Sequence, residues 1–286
     1  MMARADIRVR PAVPADQRAL ANLIHFSSHV HRHLDWRNPL DWVGTAPFLV
    51  AEQHGELVSA FACPPDPPRI AWLRLFADSG KIPLGEAWEL LWQAACQDLA
   101  QRGNFTMAVI LLQEWLRVIL EATGFIRRQE IVMLEWDGLS PAPVVLPAGV
   151  SVRGMTPADL PAVARLDAAA FEPIWQNSEE ALQGAFPQAM VATVAESAGA
   201  VIGYQITTRN PFGAHLARLA VLPEAQRRGV GRALVDDLVR QLVQQAVSRL
   251  TVNTQSDNLT SLSLYGRMGF RTTGERYPVY ECAIPS

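Results

Sequence analysis

Cysteine is scarce. Cys63, Cys96 and Cys282 are odd in number and far apart, so the chain has no disulfide framework and none of the paired spacings of a structural zinc site. No apolar run reaches the length of a membrane span, and residues 1–10 lack the apolar centre of a secretory signal. Charge of neither sign dominates: the net charge is −3, which gives no general affinity for nucleic acid or acidic membrane surfaces. No Gly-x-x-x-x-Gly-Lys-Ser/Thr occurs, and no Gly-x-Gly-x-x-Gly follows a first strand, so the two common nucleotide-binding turns are excluded. What is present is core material, with 49% hydrophobic against 19% charged residues in 286. That suits a folded, cytoplasmic protein of about two domains.

The two domains echo each other. Ile7-Arg8-Val9-Arg10, followed by an aspartate-bearing turn and a helical stretch through Leu20, Leu23 and Ile24, returns as Val150-Ser151-Val152-Arg153, a Pro157-Ala158-Asp159 turn, and Val163 and Leu166. Arg153 follows Arg10 by 143 positions, Glu196 follows Glu52 by 144, and Gly269 of Gly-Phe follows Gly124 of Gly-Phe by 145. A period this long means two copies of one domain rather than a solenoid. Alternating strand and helix patterns predict an α/β (α+β) fold in each copy, with copies at 1–138 and 150–286. The proline- and glycine-bearing stretch 139–149 reads as the linker.

One turn differs between the copies. Leu219-Ala220-Val221 reads as a strand end, Gln226-Arg227-Arg228-Gly229-Val230-Gly231-Arg232 as a turn, and Val235, Leu238, Val239, Leu242, Val243 and Ala246 as the apolar stripe of a helix. Glycines beside a helix start admit a bulky ligand, free N–H groups and the helix dipole suit phosphate, and three arginines add charge. In the first copy the corresponding stretch is Lys81-Ile82-Pro83-Leu84-Gly85-Glu86-Ala87. There the arginine pair and Gln226 have no counterpart and Pro83 removes a donor, so the first copy is expected to be degenerate.

Downstream, Leu250 to Gln255 alternates as a strand. Asp257-Asn258 breaks it, and a helix carrying Leu262, Leu264 and Tyr265 ends at Gly269-Phe270. Together, Gln226-x-x-Gly229-x-Gly231 and Asn258…Leu264-Tyr265…Gly269-Phe270 resemble the GCN5-related N-acetyltransferase (GNAT) superfamily. The resemblance covers residues 150–286 directly and 1–138 through the repeat. It implies two tandem acyl-CoA N-acyltransferase folds, each a mixed, mostly antiparallel sheet flanked by helices, with acetyl-CoA as co-substrate of the second.

On these positions the resemblance implies that Leu219, Ala220 and Val221 face the pantetheine. It implies that Gln226, Arg227, Arg228, Gly229, Val230, Gly231 and Arg232 hold the pyrophosphate, that Asn258 and Ser261 contact the cofactor arm, and that Tyr265 protonates the leaving thiolate. The strand before the signature carries no acid, which leaves His215 as a candidate base, with Glu172, Glu196 and ordered water as alternatives. Trp175 and Tyr277 are candidate acceptor-lining aromatics. The implied activity is acetyl transfer to a primary amine of a small molecule, peptide or protein; the alternative is a non-catalytic acyl-CoA sensor or interaction module. Four histidines, at 25, 29, 31 and 33, precede Asp35. With no cysteine or second acid at ligand spacing they are expected to form a solvated or acceptor-side loop rather than a metal site. The acceptor's identity and the oligomeric state have no signature in the sequence.

Overall fold

A computed structural model describes residues 7–136, 138, 146 and 148–286. Both halves begin with the same local device. Arg10 donates from both terminal nitrogens to Asp16, at 2.8 and 2.9 Å, and Arg153 does the same to Asp159, at 2.8 and 2.7 Å. Each aspartate also accepts a backbone amide, from Val13 at 2.8 Å and Thr156 at 2.7 Å, which closes a single helical turn ahead of the first full helix. Glu52 and Glu196 complete the triads, 3.0 and 2.5 Å from their arginines. The repeat therefore extends to side-chain chemistry.

The elements are β1 (Ile7–Pro11), α1 (Gln17–Phe26), β2 (His29–Arg32), β3 (Phe48–Gln53), β4 (Glu56–Ala62), β5 (Ile70–Trp72), β6 (Leu75–Asp78), α2 (Leu84–Gln101), β7 (Phe105–Ile110), α3 (Trp115–Ala122) and β8 (Ile126–Trp136). They continue with β9 (Val150–Gly154), α4 (Leu160–Ala170), α5 (Glu179–Ala185), β10 (Ala189–Ser197), β11 (Ala200–Asn210), β12 (Gly213–Val221), α6 (Val230–Gln244), β13 (Leu250–Gln255), α7 (Leu259–Arg267) and β14 (Phe270–Ile284). Mixed sheets flanked by helices agree with the expected fold class.

Two compact units result, and they cross the boundaries expected from the repeat. One comprises Met1–Arg128 with Pro278–Ser286, the other Gln129–Tyr277. In place of contiguous copies at 1–138 and 150–286, each sheet takes its closing strand from the other half of the chain. In the first unit, β7 pairs antiparallel with the end of β14, Met107 opposite Cys282. In the second, β13 pairs antiparallel with β8, Thr251 opposite Glu135. The expected linker, 139–149, falls largely outside the described residues.

In the first unit β1-β3-β4-β6-β2 forms one sheet, while β5 runs parallel to β7. Its core gathers Trp88 and Leu91 of α2 against Phe61, Phe76, Phe125, Tyr280 and Ile284. The histidine-bearing segment is a strand of this sheet, not a solvated loop: β2 lies antiparallel to β6 with His31 fully buried. His31 Nε2 is 3.2 Å from the Leu73 carbonyl and Nδ1 3.3 Å from Gln113 Oε1. Burial pushes its pKa down to about 4, so the ring is neutral.

In the second unit the order β9-β10-β11-β12-β13-β8-β14 holds its core under α6, where Val235, Leu238, Val239 and Leu242 pack on Leu216, Val252 and Leu134. The predicted stripe runs too far. Val243 is 50% exposed, and Ala246 lies past the helix end with a left-handed φ of 57°. Gly203 of β11 lets the helix approach: a Cβ there would lie 3.1 Å from Val230 Cγ1 and 3.2 Å from Leu234 Cδ1. Among the described residues no helix is long and apolar enough to cross a membrane.

Arginine hydrogen bonds hold the carboxyls of Asp16 and Asp159 below their ordinary range. A carboxylate whose pKa is depressed on folding stabilises fully above its unfolded value, about 3.9. That contribution is lost as pH falls through the folded one. Urea unfolding followed from pH 7 to 3 should show stability flat above about pH 5 and falling below it, and Asp159→Asn should flatten part of the fall.

Candidate functional site

The site grows from a failure of strand pairing in the second unit. β12 pairs parallel to β13 only at Ala214–Leu216 against Leu250–Val252. Beyond Leu216 the strands part: β13 continues along β8 through Gln255, while β12 continues along β11 alone. A bulge marks the parting. Ile206 faces Arg218 and Thr207 faces Leu216, which leaves Ala217 as the extra residue. The Leu222 amide donates to the Ile202 carbonyl at 3.0 Å. Alternation therefore turns the backbone groups of Leu219 and Val221 toward the opening and those of Ala220 toward β11.

The signature turn sits at the end of this opening. Gln226 Nε2 donates to the Val221 carbonyl at 3.1 Å, tying the turn to the strand. Arg227 and Gly229 adopt left-handed φ of 59° and 86°, and Gly229 caps α6. The first helical bond is Ala233 N to Gly229 O at 2.9 Å, so the amides of Val230, Gly231 and Arg232 precede the ladder and face outward along the axis. No acid occupies the first turn of α6, and Arg227, Arg228 and Arg232 are exposed. A Cβ on Gly231 would meet Leu264 Cδ2 at 3.4 Å and Val221 Cγ2 at 3.7 Å, which places this glycine between the strand end and α7. Leu219 and Leu264 pack as partly buried flanks of the same core.

From the far side, Asn258 Oδ1 accepts the Ser261 amide at 3.1 Å and so caps α7. Tyr265 of that helix is 4% exposed and tilted against Phe270 at 5.4 Å. Burial raises its phenol pKa, with the Arg218 charge pulling the other way. The hydroxyl is thus a proton donor at neutral pH. His215 lies in the short paired stretch, before the strands part. Its Nδ1 is 2.8 Å from Thr251 Oγ1, while that hydroxyl donates to the Ala214 carbonyl at 3.4 Å. This assignment puts the imidazole proton on Nδ1 and leaves Nε2 bare. Burial lowers its pKa.

One cluster was not anticipated. Asp167 of α4 is fully buried and receives Arg218 Nε and Nη2 at 2.7 and 2.8 Å. It also accepts the Tyr204 hydroxyl and the Asn177 amide at 2.7 Å. Arg218 further donates to the Trp175 carbonyl at 2.6 Å and lies 3.6 Å over the Phe171 ring. Burial opposes its charge, but Asp167 outweighs that and its pKa is raised. Trp175 Nε1 in turn donates to Gln129 of β8 at 2.8 Å, and the neighbouring Glu130 binds Arg276, beside Tyr277, at 2.6 Å. Trp175 is thus moored near the start of β8, and so is Arg276, the neighbour of Tyr277. Tyr277 donates to Glu275 at 3.1 Å. Glu196 is engaged by Arg153 and Glu172 is exposed. The sequence did carry a signal for this cluster: Arg218 interrupts an apolar strand and Asp167 an apolar helix face.

Residues 160–270 match the model of the Acetyltransferase (GNAT) family. The chain is 30% identical over 169 residues to the mycothiol acetyltransferase of Amycolatopsis mediterranei, covering 52% of this chain and 56% of that one. It is 32% identical over 82 residues to the [ribosomal protein bS18]-alanine N-acetyltransferase of Escherichia coli, covering 29% and 55%. It thus spans about half the length of these curated relatives. A tandem GNAT protein from the clavulanic acid biosynthesis pathway superposes with a TM-score of 0.66 at 15% identity, over 98% of this chain and 99% of that one. That likeness is one of fold.

Replacing Asp167 by Asn should cost about 3–5 kcal/mol, because it leaves the Arg218 charge buried beside a neutral amide. Tyr204→Phe removes one hydrogen bond and should cost about 1–2 kcal/mol. Thermal unfolding of the two variants beside the parent ranks them, and equal losses would contradict the charge-centred reading of the cluster.

Proposed function

From the match of residues 160–270 to the Acetyltransferase (GNAT) family, we propose that the second unit transfers the acetyl group of acetyl-CoA to a primary amine. The observation that carries this reading is the parting of β12 from β13 beside the arginine-flanked start of α6. The opening offers strand-edge N–H and C=O groups at Leu219 and Val221, and an elongated ligand rich in amides satisfies such groups as a neighbouring strand would. At its end, the amides of Val230, Gly231 and Arg232 and the charges of Arg227, Arg228 and Arg232 suit a pyrophosphate. Gln226 braces that turn through Val221, and Asn258 and Ser261 fix the first turn of α7 beside the opening. The thioester supplies the activated acyl group.

In this reading Tyr265 holds a proton for the departing sulfur, since burial keeps its hydroxyl protonated at neutral pH. His215 Nε2 is the bare nitrogen that would accept the amine's proton, through water or directly. Its lowered pKa keeps it neutral and receptive down to below pH 6.5. The acceptor enters beside Trp175, held through Gln129 and Arg218, and Tyr277, which bonds Glu275 next to the Arg276–Glu130 pair. We place the reaction in the cytoplasm, where acetyl-CoA is available to it.

Two measurements test the proposal. Acetyl-CoA should raise the melting temperature of the parent chain and leave that of Gly231→Glu unmoved, because the added carboxylate fills and repels the phosphate space; equal stabilisation of both would remove the cradle assignment. Thiol release across a panel of primary amines separates an enzyme from an acyl-CoA sensor. With an accepted amine, Tyr265→Phe should lower kcat about 10²-fold or more with little change in KM. The acid limb of the parent's kcat/KM profile should lie below pH 6.5, moving or vanishing in His215→Ala.

A further inference from the structure

The first unit contains an equivalent parting, between the β5–β7 pair and the sheet that β6 joins. β5 pairs parallel with β7 at Ile70–Trp72 against Thr106–Ala108, positions that map onto Ala214–Leu216 and Leu250–Val252 with a uniform shift of 144. The last bond between these strands is from Leu73 N to Ala108 O at 2.9 Å. There the strands part, as they do after Leu216. The Ser79 amide donates to the Val58 carbonyl at 2.9 Å, the counterpart of Leu222 on Ile202. By the same alternation, the backbone groups of Phe76 and Asp78 turn away from β4 and into the opening. They correspond to those of Leu219 and Val221.

In the first unit these groups have a partner. β2 runs antiparallel along β6, with His31 opposite Phe76 and His29 opposite Asp78. Pairing with β2 starts where pairing with β7 stops: His33 N donates to Arg74 O at 3.0 Å, one residue after Leu73. The His31 side chain fills the fork itself, bridging the Leu73 carbonyl and Gln113 while fully buried. His33 stacks on Trp72 at 4.8 Å, and His29 meets Trp115 edge-on at 5.1 Å. The three alternate histidines thus seat the strand along its length. In the second unit, among the described residues, no strand pairs with β12 on the corresponding side.

The turn beyond β6 differs in the same direction. α2 is capped by Pro83, which has no N–H, and carries Glu86 in its first turn. A proline and an acid at a helix start disfavour an anion.

We infer that β2 is a built-in occupant of the first unit's cleft, a strand of the chain's own lying where an acyl-CoA arm would otherwise pair. The chain therefore takes one acyl-CoA, in the second unit only. The site assignment in the second unit rests on the function proposed above; the occupancy of the first rests on backbone register alone.

Hydrogen exchange of the intact chain, with and without saturating CoA, together with calorimetric titration of CoA, tests it. The β2 and β6 amides should exchange slowly and without response to CoA, while those of 219–221 and 229–232 become protected, at one CoA per chain. Two CoA per chain, or faster exchange of β2 on addition of CoA, would overturn the inference, as would β2 amides that exchange as fast as an open loop. Slow β2 exchange with no CoA bound anywhere would support the plug and refute the acyl-CoA reading of the second unit instead. His31→Ala should speed β2 exchange roughly tenfold by removing both bridging hydrogen bonds, and Gly231→Glu should bind no CoA at all. A full equivalent bound by Gly231→Glu would place the ligand in the first cleft.

Discussion

A strand that leaves its neighbour in the middle of a sheet strands a row of N–H and C=O groups, and satisfying that row is the constraint on which both units depend. Each unsatisfied buried group costs about 1–3 kcal/mol, so an opening of several residues persists only if it is wet, filled, or bonded by side chains. The two copies resolve the problem differently. In the second unit Gln226 takes the Val221 carbonyl and the remaining groups face the opening. In the first, β2 pairs with the whole edge of β6. The glutamine of the signature thus has a role in the protein itself, independent of ligand: it supplies a partner to the Val221 carbonyl at the end of the strand.

The parting also has to be held open on the other face of the strand. The Ala217 bulge reverses the facing of the residues after it, and Arg218, the first of them, is pinned by a carboxylate, a carbonyl and an aromatic ring at once. A buried pair of this kind adds little net stability, since desolvation consumes most of the Coulomb energy. Its geometric effect is larger. Asp167 has four donors arranged around it, from β11, β12 and the loop after α4, so a shift of any one leaves a buried polar group unpaired. Apolar packing would tolerate such a shift; this network does not. The loop bearing Phe171 and Trp175 is thereby fixed to the strand that forms the opening.

Period and pattern in the sequence reached a good part of this. The duplication, the strand–turn–helix at Gly229, the alternation of β13 and the capping end of α7 follow from local residue choices, and local choices are what sequence patterns report. Three features lie beyond that reach. Register is a property of two strands, so nothing within His29–Arg32 says that it pairs with Leu75–Asp78 rather than facing solvent. The end of α6 is set by where the core stops, which is why Val243 and Ala246 read as helix stripe yet lie outside it. Asp167 and Arg218 are 51 residues apart, and an aspartate in an apolar helix face announces only that it needs a partner, not which one.

The exchange of closing strands was also beyond local reading, and duplication explains why it is permitted. β8 and the end of β14 are equivalent strands of equivalent copies, and β7 and β13 present matching edges: Met107 and Thr251, which are 144 apart, face Cys282 and Glu135 in antiparallel register. Either edge can accept either strand, as in domain swapping, where an identical element serves in the other copy at little cost. Once exchanged, the strands bind sequence-distant segments together. Tyr280 and Ile284 are buried in the first unit's core, and Tyr280 donates to Glu121 at 2.9 Å across a separation of 159 residues. Val132, Leu134 and Trp136 are likewise buried in the second unit's core. The first unit is then built from two stretches of chain, Met1–Arg128 and Pro278–Ser286, while the second begins within β8, ahead of the linker; the catalytic reading of the second cannot be detached from that strand, because Gln129 and Glu130 hold Trp175 and the strand of Tyr277.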